Sequence, residues 1–294
     1  MKILLPVDGS DHTKHMLAWL TTHSEWLGNA HEYTVLTVVP PIPPHAMEFL
    51  DPEFLRSYDK DQAEVVFKPI QAEAQAKGIK WITYGSTLPG QDGELDLQQE
   101  IGGQTIGKLA GEWIAKNKDA LGGKAKVALL TYEKGEWAQN RRKGIEEGLE
   151  QSASGMYEVV ARQDALSETE GLNVTNTLLQ AHPDLNVVLA IEETATEGAY
   201  QAFVNSGHPK DDPKVFLGGI DGTLKALQLL KEGDTIYRGS AALSLKSIGE
   251  GIVSVADGLL SGSQPAPYIF KVPYTPLTPG APEVETFLKE WGQG

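Results

Sequence analysis

Apolar and polar positions change rhythm along this chain, and the changes predict alternating strands and helices. Lys2 to Val7 is a run rich in leucine and β-branched residues, the pattern of a strand buried on both faces. Asp8-Gly9-Ser10-Asp11 follows as a turn whose Ser10 or Asp11 can cap a helix. Met16, Leu17, Leu20, Trp26 and Leu27 recur near helical spacing up to Gly28, and Tyr33 to Val39 reads as a second strand that stops at Pro40-Pro41. The proline-rich stretch from Pro40 to Pro52 predicts a surface loop. Ala63, Val66, Phe67, Ile70 and Ala74 then draw an apolar stripe along a helix, with Pro69 predicting a kink or a fresh start. Gly78 ends that helix, and Ile79 to Tyr84 reads as a short buried strand closed by Gly85-Ser86. Farther on, Val127 to Thr131, Tyr157 to Ala161, Val187 to Ile191 and Lys214 to Leu217 read as strands separated by helical stretches. Such alternation predicts an α/β protein of parallel sheets covered by helices.

Composition narrows the function. With 294 residues, 40% of them hydrophobic, there is room for two cores. A net charge of -15 argues against sequence-independent nucleic-acid binding and against anionic membranes, which need clustered Lys and Arg. A small molecule is the expected partner, and no cofactor is expected. The absence of cysteine removes disulfides, thiolate metal sites and a cysteine nucleophile. No run of about 18 apolar residues is present to span a membrane. MKILLPVDGSDH reads as a strand rather than a signal peptide, so the expectation for the chain as written is cytoplasmic.

Candidate chemistry lies where the predicted strands of the second half end, because open α/β sheets bind ligands beyond the carboxyl ends of their strands. Trp137 and Arg141 follow one strand, Glu192 and Glu193 another, and Asp221 a third. Carboxylates and a guanidinium make directed, charge-assisted hydrogen bonds to sugar hydroxyls, and an indole covers the apolar face of a sugar ring. The same residues have plainer uses: Arg141 and Glu192 as a partly buried ion pair, Trp137 as a loop anchor. Asp8 serves equally as a helix-capping carboxylate. Ser10 and His12, two residues apart in a turn, have no triad geometry, and no catalysis is expected.

Two resemblances divide the chain. MKILLPVDGSDHTKHMLAWL, TVLTVVP and DPEFLRSYDKDQAEVVFKPI, over about residues 1–70, resemble the opening β-α-β-α portion of a universal stress protein. That resemblance implies an alternative, nucleotide-binding reading, in which Asp8 lies against adenosine and Val38 and Val39 line an adenine pocket. The family's phosphate motif is not properly present: Gly90, Gly93 and Gly103 have its spacing, but Gln104 replaces the hydroxyl residue.

From about residue 70 onward, KGIKWITYGS, GGQTIGKLAGEWIAKN, KAKVALLTYEKGEWAQNRRKGIEEGLEQ, DDPKVFLGGIDGTLKALQLLKEG and SIGEGIVSVADGLLSG resemble, in order, the periplasmic sugar-binding proteins of ABC importers. This implies a two-lobed, type I periplasmic-binding-protein-like fold, each lobe a parallel sheet flanked by helices, with a flavodoxin-like first lobe. The implied lobes are 1–97 with 244–273, and 98–243 with 274–294. Arg141 matches the sugar-clamping arginine of an R-x-x-G pattern, Asp221 the acceptor of G-x-D-G, and Glu192 stands where the family usually has asparagine. Ser86 belongs to the Gly85-Ser86 pair that replaces the first lobe's Asp-Arg or Asp-Ser ligands, and Leu243 falls where a glutamine is usual. About one β-α unit is missing ahead of KGIKW. Together the resemblances imply an engineered chimera spliced near 62–78, non-catalytic, with residual or lost carbohydrate binding and an open sheet edge that favours a homodimer.

Overall fold

The computed structural model describes residues 2–7, 32–37 and 78–293, with single positions at 15, 19, 68, 72 and 76. The chain divides into two units, Met1–Trp81 and Ile82–Gly294. In the first, strands β1 (Lys2–Val7) and β2 (Glu32–Thr37) pair in parallel, Lys2 opposite Glu32 and Val7 opposite Thr37. Lys68, Ala72 and Ala76 are helical, and Gly78 follows in the left-handed region at φ 68°, as a glycine closing a helix does.

The second unit runs β3 (Ile82–Tyr84), β4 (Gly93–Asp96), α1 (Gln99–Leu121), β5 (Ala125–Thr131), α2 (Glu136–Ala153), β6 (Tyr157–Asp164) and α3 (Glu168–Ala181). It continues through β7 (Val187–Ala190), α4 (Glu193–Asn205), β8 (Phe216–Asp221), α5 (Leu224–Glu232), β9 (Tyr237–Leu243), α6 (Leu245–Leu260), β10 (Tyr268–Lys271), β11 (Tyr274–Leu277) and α7 (Glu283–Glu290). These strands make two sheets, one of three strands in the order β10-β4-β3 and one of six in the order β11-β9-β8-β7-β5-β6. Only β11 runs antiparallel to its neighbour. The chain passes between the sheets at Leu97–Gln98, at Ser244 and at Val272–Pro273. The α/β periplasmic-binding-protein-like architecture expected from the sequence is the one observed.

The six-stranded sheet carries apolar cores on both faces. One gathers Phe203, Leu217, Leu230 and Tyr237, the other Ile106, Leu129, Ile145 and Phe216. Strand β7 is buried at all of its positions, which is why Val187 to Ala190 carries no polar residue. The three-stranded sheet rests on a much smaller cluster of Leu95, Leu97, Leu243 and Val272. Ile79 to Tyr84 is not the six-residue buried strand that its composition suggests. Only Ile82–Tyr84 pair with β4, β3 stands at the end of its sheet among the described residues, and Ile79 and Tyr84 are both more than half exposed.

Strand β8 also begins and ends later than the pattern Lys214 to Leu217 suggests, because Gly218 and Gly219 extend it without an apolar signature. A side chain on Gly219 would run into Thr196 and Glu193 of α4, so the helix sits directly on the strand there. Helices α1 and α2 pack closer still. A Cβ on Gly103 would lie 2.0 Å from the Arg141 carbonyl oxygen, and one on Gly144 2.1 Å from that of Glu100. This backbone-on-backbone contact brings the first turn of α1 beside Arg141.

Candidate functional site

Three adjacent strands of the six-stranded sheet end at one place. Strand β5 leads through Gly135, the extended N-cap of α2, to Trp137 and Arg141. Strand β7 leads to Glu192, the N-cap of α4, and β8 ends on Asp221. Arg141 is the hub, 3% exposed. Its guanidinium grips Asp221 with two nitrogens, at 2.9 and 3.3 Å, and donates at 2.7 Å to the Ile191 carbonyl at the end of β7. Its Nε donates at 2.7 Å to the Gln99 side chain, which the glycine contact of α1 and α2 places within reach. From Arg141, Glu192 receives a long contact of 3.5 Å, and its carboxyl is hydrogen-bonded to that of Asp221. The Trp137 ring lies beside the guanidinium, 5.5 Å from its centroid, a cation–π arrangement.

The three-stranded sheet faces this network across a cavity of about 480 Å³, within the range of small-molecule sites. Its side of the cavity is formed by Tyr84, Ser86, Leu97 and, from the start of α6, Leu245 and Ile248. Gln99 touches both sides: besides meeting Arg141, its amide donates to the Gly85 carbonyl at 3.4 Å. Leu243 lines the cavity too, so an apolar side chain stands where the resemblance leads one to look for glutamine.

Asp221 is held in an unusual conformation, at φ 128°, a region that costs a non-glycine residue about 1–3 kcal/mol. The surroundings that enforce it are visible. Gly222 follows at φ 82°, and the Trp291 indole donates to its carbonyl at 3.1 Å. The next residue, Thr223, donates its backbone N–H to the buried Glu193 carboxylate, which also accepts from the Ser240 hydroxyl. Glu193 thereby ties the Asp221 turn to α4 and β9 from beneath.

Burial governs the protonation of this region. It pushes Glu193 up to about 7, against the opposing hydrogen bonds from Ser240 and Thr223. It pushes Glu192 up to about 8, with the Asp221 charge adding to the effect and Arg141 opposing it. Tyr274 is pushed up to about 12 by the same loss of solvent. For Arg141, burial alone would favour the neutral form, but Asp221, Tyr274 and Glu192 outweigh it and hold the guanidinium above its ordinary value.

The sequence candidates Trp137, Arg141, Glu192, Asp221 and Ser86 all line this one cavity. Arg141 and Glu192 are both an ion pair and part of its wall, so the two readings of that pair are compatible. Asp8, Val38 and Val39 lie outside the described residues. Gly103, the last glycine of the phosphate-like spacing, sits buried inside α1 against α2, where it serves packing and can cradle no phosphate. Sequence reading missed Gln99, Tyr84, Thr223 and Trp291. Gln99 had a usable signal in the glycines spaced along α1 at Gly103 and Gly107, which mark the face packed on α2. Among the described residues no group of three His, Cys, Asp or Glu is arranged to hold a metal ion.

Residues 64–264 match the family described as periplasmic binding protein domain, and the chain belongs to that family. These are binding proteins of transport systems, not enzymes. The chain is 32% identical over 208 residues to the ribose import binding protein RbsB of Salmonella typhimurium, covering 68% of this chain and 66% of the relative. It is 34% identical over 192 residues to RbsB of Bacillus subtilis, covering 65% of this chain and 58% of the relative. The chain thus spans somewhat under two thirds of the length of these relatives. Among solved structures, a galactofuranose binding protein superposes with a TM-score of 0.65 at 15% identity, over 99% of this chain and 98% of that one. A solute-binding protein from Actinobacillus succinogenes with bound D-allose gives 0.65 at 19% identity, over 97% and 99%. These similarities concern the fold. No helix among the described residues is long and apolar enough to cross a membrane.

Proposed function

We propose that the cavity beyond β5, β7 and β8 binds a monosaccharide-sized polyol without transforming it. One observation carries this reading: the buried Arg141 presents Asp221 and Glu192 to a cavity of about 480 Å³ that also offers the Trp137 ring. Hydroxyls need directed acceptors and donors, ring C–H faces need an aromatic or aliphatic wall, and this cavity supplies both. The ribose import binding proteins and the D-allose complex support the same ligand class.

The binding is weaker than in an intact relative. Ser86 and Tyr84 are the polar side chains on the three-stranded side, the rest of that wall being Leu97, Leu245 and Ile248. Each missing hydrogen bond forfeits about 0.5–1.5 kcal/mol, and more where a charge is involved. A graft accounts for this loss. The family match begins at residue 64, inside the predicted splice region 62–78, which supports reading the chain before it as derived from a second parent. In this reading the first lobe joins 1–97 with 244–273, and the second 98–243 with 274–294.

Thermal unfolding against a panel of pentoses, hexoses and ATP tests the proposal, because a ligand that binds only the folded state raises the midpoint with concentration. At least one monosaccharide shifts it and ATP does not. If no sugar does so at tens of millimolar, the polyol reading falls.

A further inference from the structure

The charges around Arg141 do not balance. The guanidinium is committed to Asp221, gripped at 2.9 and 3.3 Å, to the Ile191 carbonyl and to Gln99. Glu192 stands 3.5 Å away and gains little from it. Among the described residues lining the cavity, Arg141 is the sole Lys or Arg, so two carboxylates face one cation. Yet Glu192 is only partly exposed, its side chain at 29%, and water cannot fully compensate its charge. Two ways remain to satisfy it: a proton shared with Asp221, to which its carboxyl is hydrogen-bonded, or a cation brought by the ligand that takes that proton's place.

Resting on the polyol reading of this cavity, we infer that its ligand carries an ammonium group, as in an amino sugar or an aminated polyol, seated between Glu192 and Asp221. An ammonium offers three donors to the two carboxylates and supplies the missing positive charge. Three aromatic residues, Tyr84, Trp137 and Trp291, line the wall, and aromatic rings suit both a sugar ring and a cation. In the unliganded protein at neutral pH, the pressure of burial and of Asp221 keeps a proton on Glu192, whose carboxyl is pushed up to about 8. Arg141 opposes that shift and the neighbouring Glu193 adds to it. An arriving ammonium replaces this proton, which passes to the buffer.

The test is calorimetry at pH 7 with matched pairs: D-glucose and D-glucosamine, D-galactose and D-galactosamine, D-mannose and D-mannosamine, each with its N-acetyl derivative. In at least one pair the amine binds tenfold or more tighter than both the parent and the acetylated sugar. Titrations in buffers of different ionisation enthalpy show proton release on binding. Glu192→Gln and Glu192→Asn bring the ratio of amine to parent near one and abolish the proton release, with circular dichroism confirming that they fold. Parent sugars binding as well as their amines, or an amine preference that survives in both variants, would overturn the inference and leave the polyol reading standing. Binding of none of these compounds to the wild-type protein overturns the inference, and the polyol reading falls with it only if the pentoses and hexoses of the thermal panel also fail to shift the midpoint.

Discussion

On one side of the cavity, Arg141, Glu192 and Asp221 rise from the ends of strands that are buried along nearly their whole length. On the other, Tyr84 and Ser86 follow from a three-residue strand whose sheet, among the described residues, rests on a cluster of Leu95, Leu97, Leu243 and Val272 and on Val255 and Leu259 of α6. The first side is charged, fixed by hydrogen bonds, and backed by a core on each face of its sheet. The second is mostly apolar. The difference teaches that directed contacts follow packing: a charge can be held to a few tenths of an ångström only where the strands and helices beneath it cannot shift.

The largest effect should come from cutting the hub. Arg141→Ala leaves Asp221 and Glu192 facing each other with no counter-charge, and removing one partner of a buried pair costs about 3–5 kcal/mol. Urea unfolding should show that loss together with loss of sugar binding. A stable variant that still binds would mean the guanidinium organises nothing.

Next comes a pH dependence confined to the same side. Glu193 titrates near 7 in the folded protein, against 4.5 for an ordinary glutamate. Between those values the unfolded chain releases a proton that the folded chain keeps, so the contribution of Glu193 to folding stability declines as pH rises from about 4.5 to about 7 and then levels off, while that of Glu192 goes on declining to about 8. The Glu193 decline amounts to roughly 3 kcal/mol. Unfolding free energies measured from pH 5 to pH 8 should fall in the wild type and fall less in Glu193→Gln. Equal slopes in the two proteins would remove Glu193 from the account.

Gly144→Ala tests whether the close contact of α1 and α2 positions the hub. A methyl group there meets the Glu100 carbonyl at 2.1 Å, so the helices must separate, at a cost of about 1–3 kcal/mol. Sugar affinity should fall along with stability, since Gln99 then loses its place beside Arg141. Reduced stability with unchanged affinity would separate the packing from the site.

The smallest effect belongs to the opposite side. Ser86→Ala should leave stability unchanged and weaken binding by no more than one hydrogen bond, about 0.5–1.5 kcal/mol. A loss as large as that of Arg141→Ala would erase the contrast between the two sides.

How much of this was legible in the sequence depended on which signal each residue left. Strands β5 and β7 announce themselves because a strand buried on both faces must be apolar throughout. Glu192 and Asp221 could be picked out as polar residues placed just where such strands stop, and Arg141 as a charge in the helix that follows one. Strand β4, Gly93–Asp96, escaped because two of its four residues are acidic, and Glu94 is buried with its carboxylate satisfied by Thr87 and Gln91. Gln99 escaped because its role depends on how closely two helices pack, and Trp291 because it reaches Gly222 from 69 positions away. Local patterns carry no trace of such long-range partners.

The three passages of the chain between the two sheets bear on how a protease would dismantle the protein. A single cut between the end of β5 at Thr131 and Leu243 leaves an N-terminal piece holding β3 and β4 and a C-terminal piece holding β10, and both pieces also keep strands of the six-stranded sheet. Each fragment is therefore stitched into both sheets, through β10 on β4 in one and through neighbouring ladders in the other. Even the start of α6 is fastened from afar, by Glu290 accepting from the Ser244 hydroxyl at 2.9 and 3.0 Å. Limited digestion in a surface turn such as Gly207–Asp212 should yield two bands under denaturing conditions and a single species on a native column.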